Sequence, residues 1–272
     1  MKYAQYPERY QIQDAERQLE MLRMLWPSLD TSFAEEYVRD MLPKLRIPKG
    51  AEGLFCIVNP AFFGERHEAV REILKTLGER AGRSRAARRV RKKTTSRFVN
   101  ELAVRHKGKL GADSIRVRTH TDLAERAIAL HQPGDVWVIP AQFGRLHRTR
   151  SATRVRERIL DQTEAPGSEF GLGIAAVGCM TLLHPNRFTA CSPLQAECMG
   201  DRVAHSPLRP MVFRRADERE ADFRRREAKS LERSLNFTPF FGVHNRQLIL
   251  DAFDSDFNVP TAGVVTGFVP YH

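Results

Sequence analysis

Residues 142–150 concentrate side chains that can donate charge-assisted hydrogen bonds to a phosphate group. The donors are Arg145, His147, Arg148 and Arg150. The stretch follows residues 136–139, an uncharged apolar run of strand length, and precedes Ser151, which can cap a helix whose first amides attract anions. In parallel sheets, ligands lie beyond the carboxyl ends of the strands. We therefore expect a phosphate-binding loop here, with a surface loop carrying chance arginines as the alternative.

Two longer basic runs accompany this stretch, one earlier in the chain and one that overlaps its end. Residues 79–109 contain twelve lysines and arginines against two glutamates, and residues 145–158, which include Arg154, have Glu157 as their only acid. Because ten uncompensated positive charges repel one another, the longer run favours a phosphate-binding surface over a solvated helix face. The candidate contacts in it are Arg85, Arg88, Arg89, Arg91, Lys92, Lys93 and Arg97.

Three aspartates, Asp251, Asp254 and Asp256, cluster after a predicted strand. Paired carboxylates can bind Mg²⁺ for phosphodiester hydrolysis, with His184 or His244 as a conceivable base. Aspartate is also common in polar turns, and no motif places a further acid beside these three. The turn is the favoured interpretation, and no catalytic residue is predicted.

Cysteine and histidine spacing gives little support for zinc. Cys191, Cys198 and His205 are separated by six-residue gaps, whereas structural zinc sites pair their ligands two to four residues apart. The sequence also has no Walker loop, nucleophile elbow or HExxH motif. We therefore predict neither a metal site nor a cofactor.

Composition bounds the class of protein. The chain has 272 residues, 42% of them hydrophobic, and a formal net charge of +11, which is typical of a globular protein with polyanionic partners. Apolar runs are too short for a membrane span, the first residues do not resemble a signal peptide, and four cysteines are too few for a disulfide scaffold. These observations predict a cytoplasmic protein without a membrane partner.

Periodicity predicts an α/β fold, with α+β as the alternative. Helices are expected over residues 14–26, 32–42, 65–78, 122–131, 151–160 and 169–183, and strands over residues 54–58, 115–118, 136–139, 237–243, 247–253 and 263–269. Helices at the N-terminus would precede a central βαβ unit with a short parallel sheet and a more β-rich C-terminal part. The boundaries divide residues 1–165, helical, α/β and basic, from residues 166–272, and leave open whether both share one core.

Two phrases carry a resemblance. PAQFGRLHRTRS at residues 140–151 and EFGLGIAAVGCMTLLHP at residues 169–185 resemble sequences in a family of uncharacterised bacterial proteins. The resemblance covers about the central half of the chain. It implies a bacterial origin and brings no known activity.

The charge pattern favours a non-catalytic nucleic-acid-binding protein, a subunit of a ribonucleoprotein or of a DNA-processing assembly. One alternative is a metal-dependent nuclease or phosphodiesterase that uses the C-terminal aspartates. Another is a scaffold that binds an acidic protein through the same basic surface. The sequence does not distinguish DNA from RNA.

Overall fold

A computed structural model describes residues 10–41, 44–83, 98–105, 114–160, 167–188, 194–204, 219–222, 224–225, 236–244, 247–256 and 261–270. Within these ranges the chain forms a mixed α/β fold in which helices flank a ten-stranded sheet with parallel and antiparallel pairs. None of the described helices is long and apolar enough to cross a membrane.

Seven α-helices carry the names used below. They are α1 (Ala15–Leu25), α2 (Ser32–Met41), α3 (Arg66–Arg83), α4 (Glu101–Arg105), α5 (Thr119–His131), α6 (Ala152–Leu160) and α7 (Ile174–Leu183). The strands are β1 (Gly53–Val58), β2 (Phe98–Asn100), β3 (Ile115–Val117), β4 (Val136–Arg148), β5 (Glu169–Gly171), β6 (Gln195–Glu197), β7 (Asp201–Val203), β8 (Phe237–His244), β9 (Gln247–Asp254) and β10 (Ala262–Phe268).

The main path of the sheet runs β1-β4-β10-β6-β8-β7-β3, while β5 pairs with β10, β9 with β8, and β2 with β9. The pairs β10–β6 and β2–β9 are parallel, and the others are antiparallel. The predicted hairpin between the strands now named β8 and β9 is confirmed, with Phe237 opposite Asp254 and His244 opposite Gln247.

The expected parallel pair of the βαβ unit needs correction. The order strand, helix, strand is present as β3, α5 and β4, but β3 pairs with β7, whereas β4 lies between β1 and β10 near the other end of the sheet. A continuous apolar strand indicates burial on both faces. Strand β4 is buried but pairs with antiparallel neighbours, so its apolar run did not define its partners.

Two hydrophobic clusters occupy opposite faces of the sheet. The larger one packs α3 and α7 against the strands, and Gly178 of α7 lies so close to Ile73 and Phe241 that a Cβ atom there would stand 2.7 Å from the Ile73 Cγ2. Val265 faces this cluster, whereas the adjacent Val264 faces the smaller one. The smaller cluster consists of Ala152, Val155 and Ile159 of α6 with Met199 and Val264.

Three further boundaries differ from the sequence prediction. Helix α5 begins at Thr119, three residues before the expected start, and Glu125 within it binds Arg66. Residues 169–171 form β5, so the apolar helix starts only at Ile174. Strand β4 continues through Arg148, which places most of the expected phosphate-binding loop inside the sheet.

Candidate nucleic-acid interface

A wide bulge, not a loop, occupies the expected site after residues 136–139. Gln142 lies opposite Thr266 and His147 opposite Val264, so β4 carries extra residues over this interval. Gly144 adopts φ 101°, and its backbone lies so close to Gly263 that a Cβ atom on Gly144 would be 2.9 Å from the Gly263 carbonyl oxygen. The bulge therefore requires glycine at position 144.

Two polar side chains stabilise the bulge from within. The Gln142 amide oxygen accepts hydrogen bonds from the backbone N–H groups of Gly144 (2.8 Å) and Leu146 (3.1 Å), while its nitrogen donates to the Val264 carbonyl (2.7 Å). Arg187, fully buried, donates to the Phe143 carbonyl at 2.8 Å. These bonds replace the ladder bonds that the bulge interrupts.

His147 is buried beside Glu169 and does not reach the surface at which an anion was expected. Its side chain is 1% exposed, and Nε2 is 2.5 Å from the Glu169 Oε1, which also accepts the Thr266 hydroxyl. Arg145 and Arg148 instead line a surface groove of about 670 Å³ together with Glu52. The structure thus brings together two of the four predicted donors, where the register shift of the bulge interrupts the regular alternation of the strand.

The remaining predicted basic contacts divide into two groups. Arg150 and Arg154 are described and exposed, Arg154 on the first turn of α6. Ser151 accepts the Arg154 backbone N–H at 3.3 Å, as expected for a helix cap. The others, Arg85, Arg88, Arg89, Arg91, Lys92, Lys93 and Arg97, lie outside the described residues.

The three aspartates lie in the second half of β9 and in the turn that follows it. The Asp254 carboxylate accepts the Asp256 backbone N–H at 3.0 Å, and Asp256 accepts the Thr153 hydroxyl at 2.5 Å. Asp251 lies within the strand and accepts the Ala252 backbone N–H at 2.8 Å. Asp254 and Asp256 thus make the hydrogen bonds of a polar turn. Among the described residues, no three His, Cys, Asp or Glu side chains are grouped as a metal site.

The other candidate metal ligands fall in different places. Cys191 and His205 lie outside the described residues, whereas Cys198 is fully buried and burial raises the pKa of its thiol well above the usual value. His184 is also buried, and that burial lowers its pKa to about 4. A neutral histidine packed between Tyr10 and Phe55 is an ordinary core residue.

A second basic constellation, which the sequence prediction missed, forms where β3 and β7 meet α6. Arg116 lies directly opposite Arg202 across the antiparallel β3–β7 pair. Arg118 follows Arg116 by two residues, so it continues the same face, and its backbone N–H donates to the Gly200 carbonyl at 2.9 Å. His120 lies on the first turn of α5, directly after this strand. The alternation of apolar residues with arginines over residues 115–118 was the sequence signal that could have indicated a basic strand face.

Helix α6 brings Arg156 to this face. The Thr153 backbone N–H donates to the Ser255 carbonyl at 3.2 Å, and its hydroxyl contacts Asp256, so the start of α6 is tied to the turn after β9. Ser255 also accepts a hydrogen bond from the Arg118 Nη2 at 3.2 Å. We call Arg118, His120, Arg156 and Arg202 the arginine–histidine cluster.

The cluster is electrostatically strained. Burial, together with the positive charges of Arg156 and Arg202, lowers the pKa of Arg118 to about 10, against the opposite effect of Asp201 and Asp256. Burial, Arg118 and Arg156 likewise lower the pKa of His120 to about 4. Within the described residues, neither the Arg118 Nε nor the His120 Nε2 has a hydrogen-bond partner, although both atoms are buried.

Asp201 is a buried acid that acts on Arg118, but its hydrogen bonds are made to other groups. Asp201 accepts the Arg66 Nε at 2.9 Å and the Ile174 backbone N–H at 2.6 Å. Burial lowers the pKa of Arg66, but Asp201 and Glu125 outweigh this effect and raise it overall. The charge of Asp201 therefore mainly compensates that of Arg66, and the arginine–histidine cluster keeps an excess of positive charge.

No protein-family model, curated protein or solved structure matches this chain. The resemblance to uncharacterised bacterial proteins stays a prediction, and the function rests on the geometry of the interface.

Proposed function

We propose that this protein binds nucleic acid without cleaving it and that the arginine–histidine cluster holds a backbone phosphate. The observation that carries the proposal is the convergence of Arg118, Arg156 and Arg202 beside two buried nitrogens that lack a described partner. A buried polar atom without a hydrogen bond costs about 1–3 kcal/mol, and like charges in a partly buried site add to that cost. A bound phosphate would relieve both.

Phosphate is the anion that best suits this set of donors. Guanidinium groups match phosphate oxygens in geometry, and the neutral His120 can donate one further hydrogen bond through Nε2 in the appropriate tautomer. Helix α5 also begins here, with Arg118 as its N-cap residue, so its dipole favours a negative charge at the same place.

Nucleic acid is favoured over a small phosphorylated ligand by the rest of the chain. The net charge is +11, and residues 79–109 hold ten positive charges in excess. Arg145 and Arg148 add a further pair of basic side chains along the groove that they line. Several basic segments of this kind suit a polymer of phosphates, as in a subunit of a ribonucleoprotein or of a DNA-processing assembly.

The decisive experiment compares two double variants. Arg118→Ala/Arg156→Ala removes two members of the cluster, whereas the control Arg17→Ala/Arg71→Ala removes the same charge from exposed positions on α1 and α3. We expect the first variant to bind labelled oligonucleotides at least tenfold more weakly and to reduce the salt slope by about 0.7–0.9, the contribution of one neutralised phosphate.

Equal losses in both variants would show that total charge, not the cluster, governs binding. Unchanged binding in the cluster variant would overturn the proposed site. Binding to an acidic protein, without binding to nucleic acid, would instead support a scaffold. Mg²⁺-dependent cleavage that Asp251→Asn or Asp254→Asn abolishes would support the nuclease.

A further inference from the structure

An aromatic pair lies on the same face of the sheet as the arginine–histidine cluster. The rings of Phe240 and Phe253 have centroids 4.7 Å apart at an interplanar angle of 34°. Phe241 faces the larger hydrophobic cluster, so the adjacent Phe240 faces the opposite side. Phe240 belongs to neither hydrophobic cluster of the described residues, and Phe253 is partly exposed.

A short chain of contacts joins this pair to Arg118. Thr238 lies directly opposite Phe253 across the β8–β9 hairpin. The Thr238 and Ser255 hydroxyls are 2.8 Å apart, and Ser255 accepts the hydrogen bond from Arg118. Ser255 follows Phe253 by two residues, which is about 6.6 Å along a strand. A phosphate and the base of its own nucleotide are separated by a similar reach.

We infer that this face binds single-stranded nucleic acid, with one phosphate on the arginine–histidine cluster and a neighbouring base stacked on the Phe253 ring. The inference rests on the proposed function and specifies its substrate. Single-strand-binding proteins combine basic grooves with aromatic rings in this way, since every base offers a flat face for stacking. In a duplex the bases are stacked on each other and their faces are inaccessible to a ring on a sheet surface.

The test replaces the ring while keeping an apolar side chain. Phe253→Leu should weaken binding of a single-stranded oligonucleotide about tenfold, or about 1.4 kcal/mol, because the base loses the ring on which it stacks. Binding of heparin, which has the charge but no bases, should stay within twofold. Phe33→Leu, at a partly buried ring on α2, serves as the control and should change neither affinity.

A second variant protects the test against misfolding. Phe253→Trp retains an aromatic face, so single-strand affinity should be preserved and the fluorescence of the added indole should be quenched on binding. Equal losses of single-strand and heparin affinity in Phe253→Leu would overturn the stacking inference, and so would the absence of quenching in Phe253→Trp. Neither result would contradict the proposal that the arginine–histidine cluster binds a phosphate. Absence of binding to any nucleic acid by the unmodified protein would overturn the proposed function itself.

Discussion

Glu197 is a carboxyl group that the fold buries completely at the end of β6. Neither of its oxygens has a hydrogen-bond partner among the described residues. Burial raises its pKa to about 8, compared with about 4.3 for glutamate in an unfolded chain. The side chain is therefore protonated at neutral pH in the folded protein but ionised in the unfolded chain.

This difference makes stability depend on pH. For an acid with a raised folded pKa, the favourable contribution is complete below about pH 4.3 and is lost as the pH rises to about 8. Glu197→Gln cannot ionise, so its free energy of unfolding relative to the unmodified protein should increase by up to roughly 4 kcal/mol between pH 5 and 8 and then level off. Thermal melts across this range provide the measurement.

The comparison with the unmodified protein is necessary because His120 and His184 change the stability with pH in the opposite direction. Their pKa values are lowered to about 4, so their contribution is complete above about pH 6.5 and is lost as the pH falls. They affect both proteins alike. Glu157→Gln, at an exposed position on α6, is the control and should show a constant difference. A constant difference for Glu197→Gln as well would refute the raised pKa.

At the scale of elements, helix α6 brings Arg156 into the arginine–histidine cluster. Its apolar side contacts Met199 and Val264, and Thr153 ties its first turn to Ser255 and Asp256. Arg156 follows Thr153 by three residues, close to one helical turn, so the tie fixes the direction from which Arg156 approaches Arg118. The helix positions charge as well as covering the sheet.

Thr153→Val should separate these two roles, because valine keeps the shape of threonine and loses its hydroxyl. We expect stability to fall by about 1 kcal/mol and single-strand affinity to fall less than in Arg156→Ala. Thr76→Val removes a threonine hydroxyl bond to the Glu72 carbonyl in α3 and should cost similar stability without changing affinity. Urea unfolding and oligonucleotide titration measure the two effects, and unchanged affinity in both variants would show that the Thr153 hydroxyl does not position Arg156.

At the scale of the whole molecule, one arginine joins elements that are distant in sequence. Arg66 of α3 binds Glu125 of α5 and Asp201 of β7, and Asp201 in turn accepts the first N–H of α7. Asp201 is fully buried, and Glu125 is largely so. Such a network contributes to the arrangement of layers, since removing one partner leaves an uncompensated buried charge.

Asp201→Asn should therefore destabilise the whole fold by about 3–5 kcal/mol in urea unfolding. The control is Asp122→Asn, which removes one partner of the exposed pair between Asp122 and Arg126 on α5. Exposed pairs are worth about 1 kcal/mol or less, so this control should unfold almost as the unmodified protein does. Similar losses in the two variants would show that the Arg66 network is not a structural centre.

Much of the local structure followed from the sequence. Apolar periodicity located α1, α2, α3 and α6, and the alternation after residue 236 located the β8–β9 hairpin. These features depend on residues three or four positions apart in a helix or two apart in a strand, so neighbouring residues contain the information. Net charge likewise needs only a count.

The partners of each strand and the composition of the interface were decided by the tertiary structure. The sequence could not show that β4 lies between β1 and β10, that its bulge turns His147 inward, or that Arg156 and Arg202 meet Arg118. Each of these depends on contacts between residues tens of positions apart, where many pairings satisfy the same local pattern. The prediction therefore identified the exposed arginines Arg145 and Arg148 and missed the cluster that pairing across the sheet creates.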